Sequence, residues 1–194
     1  MLGDMSGATT PAPGRLETVR RFVNTLDVDA ATDALATPGD LVEWLTSADL
    51  LDDAGPGVGA GPAELAHAVA VREALRETLA ANHDGDPIPA AALAVLNEAA
   101  GRARLTATLT ARDGWRPRPS AGGVDGAIGG LLALVGDAMA DGTWSRLKVC
   151  VDDTCRWAFY DESRARSGKW CSMQVCGNRA KQRAWRDRRA ESST

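Results

Sequence analysis

The four cysteines of this chain, Cys150, Cys155, Cys171 and Cys176, fall within a 27-residue window, and the 149 residues before it contain none. Their spacing, C-x4-C-x15-C-x4-C, makes two matched pairs joined by a short loop. Two close thiol pairs can converge on one tetrahedral Zn²⁺, each supplying two thiolates. The gap inside each pair leaves room for a turn or the first turn of a helix. A pair of disulfides and a thiol redox switch are the competing readings. Disulfides need an oxidising compartment. The start of the chain, MLGDMSGATTPAPG, has no basic stretch and no apolar run of the signal-peptide kind. The most apolar stretch, Ala127 to Val135, reads as too short and too glycine-rich to cross a membrane. The chain is therefore expected in the cytoplasm with no membrane partner, where thiols stay reduced and paired thiols favour metal. One structural Zn²⁺ is the expected cofactor, with Cys150, Cys155, Cys171 and Cys176 as its ligands.

Charge is distributed as unevenly as cysteine. The net charge of −4 over 194 residues conceals a basic end on an acidic body. Residues 146–194 hold 12 of the 22 Lys and Arg and 6 of the 26 acidic residues, which leaves residues 1–145 at −10. Such asymmetry points to a charged partner. Six of the nine aromatic residues, Trp144, Trp157, Phe159, Tyr160, Trp170 and Trp185, also lie in the last third. A metal module too small for a large core needs bulky side chains around the ion, and Trp185 is expected to pack the last helix onto it.

Before the cysteines the pattern is mostly helical. Residues 1–14 are rich in Gly, Pro, Ser and Thr and read as disordered. Leu16, Val19, Phe22, Val23 and Leu26 make one apolar helical stripe, and residues 27–36 read as an irregular connection. A short helix follows at 38–47, then a loop at 52–61. Pro62 is well placed as a first helical residue of the next helix, which runs to about Asn82. Further helices are expected at 89–101 and 124–140, with Gly126, Gly129, Gly130 and Gly136 suited to close packing. Between the last two, Leu105, Ala107 and Leu109 alternate before Asp113-Gly114 and Trp115, which reads as a β-hairpin. The expected architecture is mainly α with a β-hairpin, a helical domain over 15–142 packed directly on a small zinc module over 143–190, and a short tail at 191–194.

Within the module, residues 148–151 and 156–160 read as strands around an Asp152-Asp153-Thr154 turn that aims N–H groups at the thiolates. Lys148, Arg156 and Lys169 are placed to offset the thiolate charge. Ser172 reads as the N-cap of a helix carrying Cys176 and ending near Arg189. The run Trp170-Cys171-Ser172-Met173, then Cys176-Gly177-Asn178-Arg179 and Lys181, resembles the CGNR zinc-finger family, as do Cys150, Cys155, Phe159, Asp161 and Ser163-Arg164. Phe22-Val23-Asn24-Thr25, Asp33-x-Leu35, Asp40-Leu41 and Trp44-Leu45 resemble the ABATE domain that usually precedes that finger. The resemblance implies a treble-clef or ribbon-like zinc module, nucleic-acid binding and a role in stress-linked transcription regulation.

Independently of the resemblance, Arg179, Arg183, Arg186 and Arg189 form a basic stripe on the last helix, flanked by Lys181 and Arg188. A stripe of this kind suits a phosphate backbone, and Asn178 with Arg179 is placed to reach base edges. Asn178, Arg179, Lys181, Arg183 and Arg186 are therefore the candidate DNA contacts. The alternative reading is a protein-interaction module whose basic helix docks on an acidic partner. The helical domain is the place for a small-molecule or protein effector. Catalysis is not expected: His67 and His83 are remote from the cysteines in sequence, no phosphate loop or hydrolase motif is present, and four thiolates would close the shell that a catalytic zinc keeps open.

Overall fold

Two of the helices begin where the sequence supplies a first-turn proline and an acid to hold the entering backbone. The computed structural model of the chain describes residues 10–51, 59–111 and 114–191. In α2 (Pro38–Ser47) the Thr37 hydroxyl accepts the Asp40 N–H at 3.2 Å, and the Asp40 carboxylate accepts the Thr37 N–H at 2.8 Å. This reciprocal cap satisfies two otherwise orphaned donors. In α3 (Pro62–Ala81) Glu64 does the same for the Gly61 N–H at 2.8 Å. The first helix, α1 (Leu16–Val23), is shorter than its apolar stripe. Leu26 leaves it to begin a two-residue strand, β1 (Leu26–Asp27), paired antiparallel with β2 (Thr32–Asp33). The segment expected to be irregular is thus a miniature hairpin. Residues 1–9 of the N-terminus read as disordered lie outside the described residues. Residues 10–14 correct that reading: Ala12 is buried, and its N–H donates to Glu17 at 2.7 Å.

The expected hairpin is β3 (Thr106–Thr110) with β4 (Gly114–Arg118), although Asp113 of its turn lies outside the described residues. Its alternation does not face the core. Leu109 is 63% exposed, and it pairs across the strands with Trp115 at 68%. Helix α5 (Gly123–Asp141) packs against this hairpin, α4 (Ala90–Arg102) and α1, and its glycines permit the approach. A Cβ on Gly129 would lie 2.5 Å from Ala103 Cβ and 2.8 Å from Pro119 Cβ, well inside contact distance. Contrary to expectation, α5 is long and apolar enough to cross a membrane. Here it is a core helix, with Ile128 and Leu131 fully buried.

One hydrophobic cluster runs from α1, α2, α3 and α5 into the C-terminal segment. It takes in Leu147, Val149 and Ala158 from β5 (Leu147–Val149) and β6 (Ala158–Tyr160), which pair antiparallel with Val149 opposite Ala158. The two parts share a core, as the missing linker implied. A second, separate cluster contains Cys150, Cys155, Cys171 and Cys176 with Trp157, Trp170 and Val175.

The seam between the parts is polar, and it accounts for much of the N-terminal motif. Asn24 mimics a strand neighbour: its Oδ1 accepts the Ala158 N–H at 2.7 Å, and its Nδ2 donates to the Ala158 carbonyl at 2.9 Å. Arg76, 2% exposed, donates to the carbonyls of Val23 at 2.6 Å and Arg156 at 2.9 Å, and to Glu73 at 3.0 Å. Arg72, one turn earlier and equally buried, binds Asp33 at 2.7 Å and the Thr25 hydroxyl at 3.2 Å. At the end of α3, Asn82 donates to the carbonyls of Trp144 and Leu147, and the His83 ring bonds the Val149 carbonyl. Val23 and Asn24 of the Phe22-Val23-Asn24-Thr25 motif therefore help to seat the C-terminal module, while Thr25 and Asp33 are tied to α3 by Arg72 within the helical domain.

Candidate metal centre and basic helix

Cys150 follows β5 and Cys155 precedes β6, so the first pair brackets a tight turn. Asp152 organises it. The Asp152 carbonyl accepts N–H bonds from Cys155 at 2.8 Å and Arg156 at 3.0 Å, and its Oδ1 accepts the Thr154 hydroxyl at 2.9 Å. Arg156 sits at φ +49°, the left-handed region, as the chain turns back into β6. In this shape the Asp152 and Cys171 N–H groups donate to the Cys150 sulfur, and the Trp157 N–H donates to that of Cys155. Of the Asp152-Asp153-Thr154 turn expected to aim N–H groups at the thiolates, Asp152 does so, whereas the Thr154 N–H donates to the Asp152 carboxylate and the other sulfur donors come from Trp157 and Cys171.

The second pair is shaped by a cap and one wide turn. Ser172 accepts the Val175 N–H through its hydroxyl at 3.3 Å, and Met173–Gly177 form a π-turn closed by Gly177 N–H to the Ser172 carbonyl at 3.0 Å. Gly177 is buried there, where a Cβ would fall 2.9 Å from Met173 Sδ. The π-turn swings Cys176 inward before the regular helix α6 (Asn178–Glu191) begins.

All four sulfurs lie within 4.8 Å of one another. Cys155 and Cys171 are 3.6 Å apart, and Cys171 and Cys176 are 3.7 Å apart. A tetrahedron with metal–sulfur bonds of about 2.3 Å has edges of about 3.8 Å, so the spacing fits a Zn²⁺ thiolate centre. It is far from the roughly 2.05 Å of a sulfur–sulfur bond, and none of the four is in a disulfide. The donor set also fits by charge. Hydrogen bonds from Cys155 and Cys171 hold Cys150 down to about 2, while the hydrogen bond to Cys150 pushes Cys155 up to about 12. Hydrogen bonding to Cys150 and Cys155 raises Cys171 also, and burial raises Cys176. Four thiolates cannot coexist here without a cation; a divalent ion removes the conflict. With one structural zinc and every sulfur committed, no position is left for a bound water of the catalytic kind.

Lys148 does not offset the thiolates as expected. It is 1% exposed and pairs with the buried Asp161 at 3.0 Å, and its ammonium also donates to the Arg166 carbonyl. Asp161 also accepts the N–H groups of Ser163 at 3.0 Å and Gly168 at 2.8 Å, fixing the loop between the two cysteine pairs. Burial pushes its carboxyl up, but the Ser163 and Lys148 bonds outweigh this and hold it at about 2. A carboxylate lowered on folding stabilises above its unfolded value and loses that contribution as pH falls through the folded one. Asp161→Asn is therefore expected to cost about 2 kcal/mol at neutral pH. The gap between the two proteins in denaturant stability should close between pH 4 and pH 2. Any metal release in acid is common to both and cancels; a constant gap would contradict the assignment.

The five candidate contacts are brought together on the start of α6, in different states. Asn178 is exposed, and its Nδ2 donates back to the Gln174 carbonyl at 2.9 Å, bracing the π-turn. Arg179 pairs with Asp29 of the β1–β2 turn at 2.9 Å. Arg183 pairs with Asp152 at 3.0 Å, and that carboxylate is only 3% exposed. Lys181 and Arg186 are exposed, with no ion pair among the described residues. Every residue from 181 to 189 is exposed. Trp185, expected to pack the helix on the module, is 53% exposed instead, with Arg189 stacked on its ring at 4.9 Å. Of the histidines, His67 lies on α3, its ring partly buried and its protonation disfavoured chiefly by that burial. His83 joins the module one residue before Cys150. Sequence reading missed the clasp of Asn24, Arg76 and Asn82, and Arg72 that ties the β1–β2 hairpin to α3 beside it. Its visible signal is the pair of arginines four apart on α3, Arg72 and Arg76, directly after the buried Val71 and Leu75.

A family model described as "Putative stress-induced transcription regulator", ABATE, matches residues 17–142. The CGNR zinc finger model matches residues 146–189. The two abut at the point where the structure passes from α5 to β5. Comparison with curated proteins gave no match.

Proposed function

The chain belongs to the ABATE family and ends in a CGNR zinc finger, and on that premise we propose that it is a cytoplasmic, non-enzymatic transcription regulator that binds DNA through α6. Cys150, Cys155, Cys171 and Cys176 are the zinc ligands, and their role is to fix the angle at which α6 leaves the protein. The observation that carries the DNA reading is the exposure of that helix. Residues 181–189 contact solvent on every face and include Lys181, Arg183, Arg186, Arg188 and Arg189. A helix polar all round gains nothing from a core of its own, and its surface is available to a partner. At 14 residues it is about 21 Å long, and a helix of that calibre fits the major groove. Asn178 and Arg179 sit at its start; Arg179, Lys181 and Arg186 contact the phosphate backbone, as does the solvent-facing edge of Arg183 beside its pair with Asp152. Residues 15–142 form the regulatory domain and 143–190 the finger, with the effector acting on the former.

The test is binding to a mixed-sequence DNA duplex across a salt series. Affinity should fall with a slope of about 0.9 logarithmic units per phosphate contacted, and Lys181→Ala with Arg186→Ala should lower that slope by about two. Absence of binding at low salt, with these substitutions silent, would leave docking on an acidic protein as the better account of the helix.

A further inference from the structure

Two of the basic residues assigned to DNA are already held by carboxylates of the same chain, and the two pairs differ in kind. Arg183 binds Asp152, which is 3% exposed and built into the cysteine turn. Withdrawing Arg183 would leave a desolvated carboxylate, so this pair works as a tether for α6. Arg179 binds Asp29, and here both partners are open to solvent, at 39% and 31% exposure. Asp29 sits on the turn of the β1–β2 hairpin, 150 residues away in sequence. Its approach is set by the helical domain: Asp33 and Thr25 at the hairpin base are both held by Arg72, and Asp27 braces the turn through the Ala30 N–H at 3.0 Å. An acid of the regulatory domain therefore occupies the guanidinium that starts the basic helix.

We propose that Asp29 is an internal competitor for nucleic-acid phosphate at Arg179, so that the position of the β1–β2 hairpin sets DNA affinity. This rests on the DNA reading of α6. A phosphate oxygen and the Asp29 carboxylate need the same donors, and one guanidinium edge cannot serve both in full. The pair is exposed and weak enough to exchange, which is the property a regulatory contact needs; the Arg183 tether is not. Any effector that moves the hairpin by a few ångströms frees Arg179 and removes a negative charge from the path of the DNA.

The experiment is DNA binding by fluorescence anisotropy of the zinc-loaded, full-length protein and its Asp29→Asn, Arg179→Gln and Asp29→Asn/Arg179→Gln variants. Glu43→Gln, on the exposed side of α2, controls for net charge. Asp29→Asn should bind roughly two- to fivefold more tightly than wild type at low salt, the worth of one exposed pair. Arg179→Gln should weaken binding, the double variant should match Arg179→Gln alone, and Glu43→Gln should leave affinity unchanged. Equal gains from Asp29→Asn with and without Arg179 would mean bulk charge and overturn the competition. Wild-type affinity in Asp29→Asn, with Arg179→Gln still weakened, would overturn it while leaving the DNA reading standing. No binding by any of the proteins would remove both.

Discussion

Chelating zinc at neutral pH is expected to melt α6 and disperse the cysteine cluster while α1 to α5 stay folded. The two hydrophobic clusters are separate, and the smaller one consists of the cysteines with Trp157, Trp170 and Val175. Without the ion the four sulfurs, three of them buried, must be reprotonated, and nothing else closes that cluster. Structural zinc contributes about 10–16 kcal/mol of folding free energy to isolated zinc-finger peptides. Helix α6 depends on this centre in two ways. It starts from the π-turn that carries Cys176, and its Arg183 is tethered to Asp152 of the cysteine turn. The measurement is far-UV circular dichroism with site-resolved hydrogen exchange, before and after chelation. Loss of helical signal confined to residues 173–191 is the predicted result, and Cys171→Ser should reproduce it. An unchanged α6 in the metal-free protein would show that the helix stands without the centre.

The second large effect is expected at Arg76, far from the cysteines in sequence. Arg76→Leu removes the donor to the Val23 and Arg156 carbonyls and one partner of Glu73. Breaking a buried charged network on one side costs about 3–5 kcal/mol, a third or more of the stability of many domains. The loss should appear as a lower urea midpoint with an unchanged slope. Arg21→Leu, on an exposed position of α1, should stay within about 0.5 kcal/mol of wild type. If Arg76→Leu also fell within that range, the clasp would be incidental to the fold.

Much of this organisation is legible in the sequence because local rules decide it. Pro38 and Pro62 start helices, Ser172 caps the π-turn, and the two cysteine pairs announce a metal centre through spacing alone. The residues that escaped reading act across long separations. Asn24 completes β6 134 residues later, and Asp29 reaches Arg179 across 150. Neither partnership has a periodic signature, since each depends on how the β1–β2 hairpin and the module are placed by the common core. Trp185 misled for a related reason. An indole usually implies burial, but here its neighbours on α6 are polar, charged or small, and Arg189 covers one face of the ring. Lys148 misled in the opposite way, since a lysine beside a thiolate centre suggests charge balance. Its ammonium instead turns to Asp161, and the pair fixes the loop that brings Cys171 to Cys155.

The central claim is that four thiolates close around one zinc to hold α6, and metal content with thiol accounting tests it most directly. Protein purified under reducing conditions should carry one zinc per chain, measured by mass spectrometry of the digested metal. It should also show four thiols that become reactive only after chelation. Metal-free protein with two intact disulfides would contradict the account.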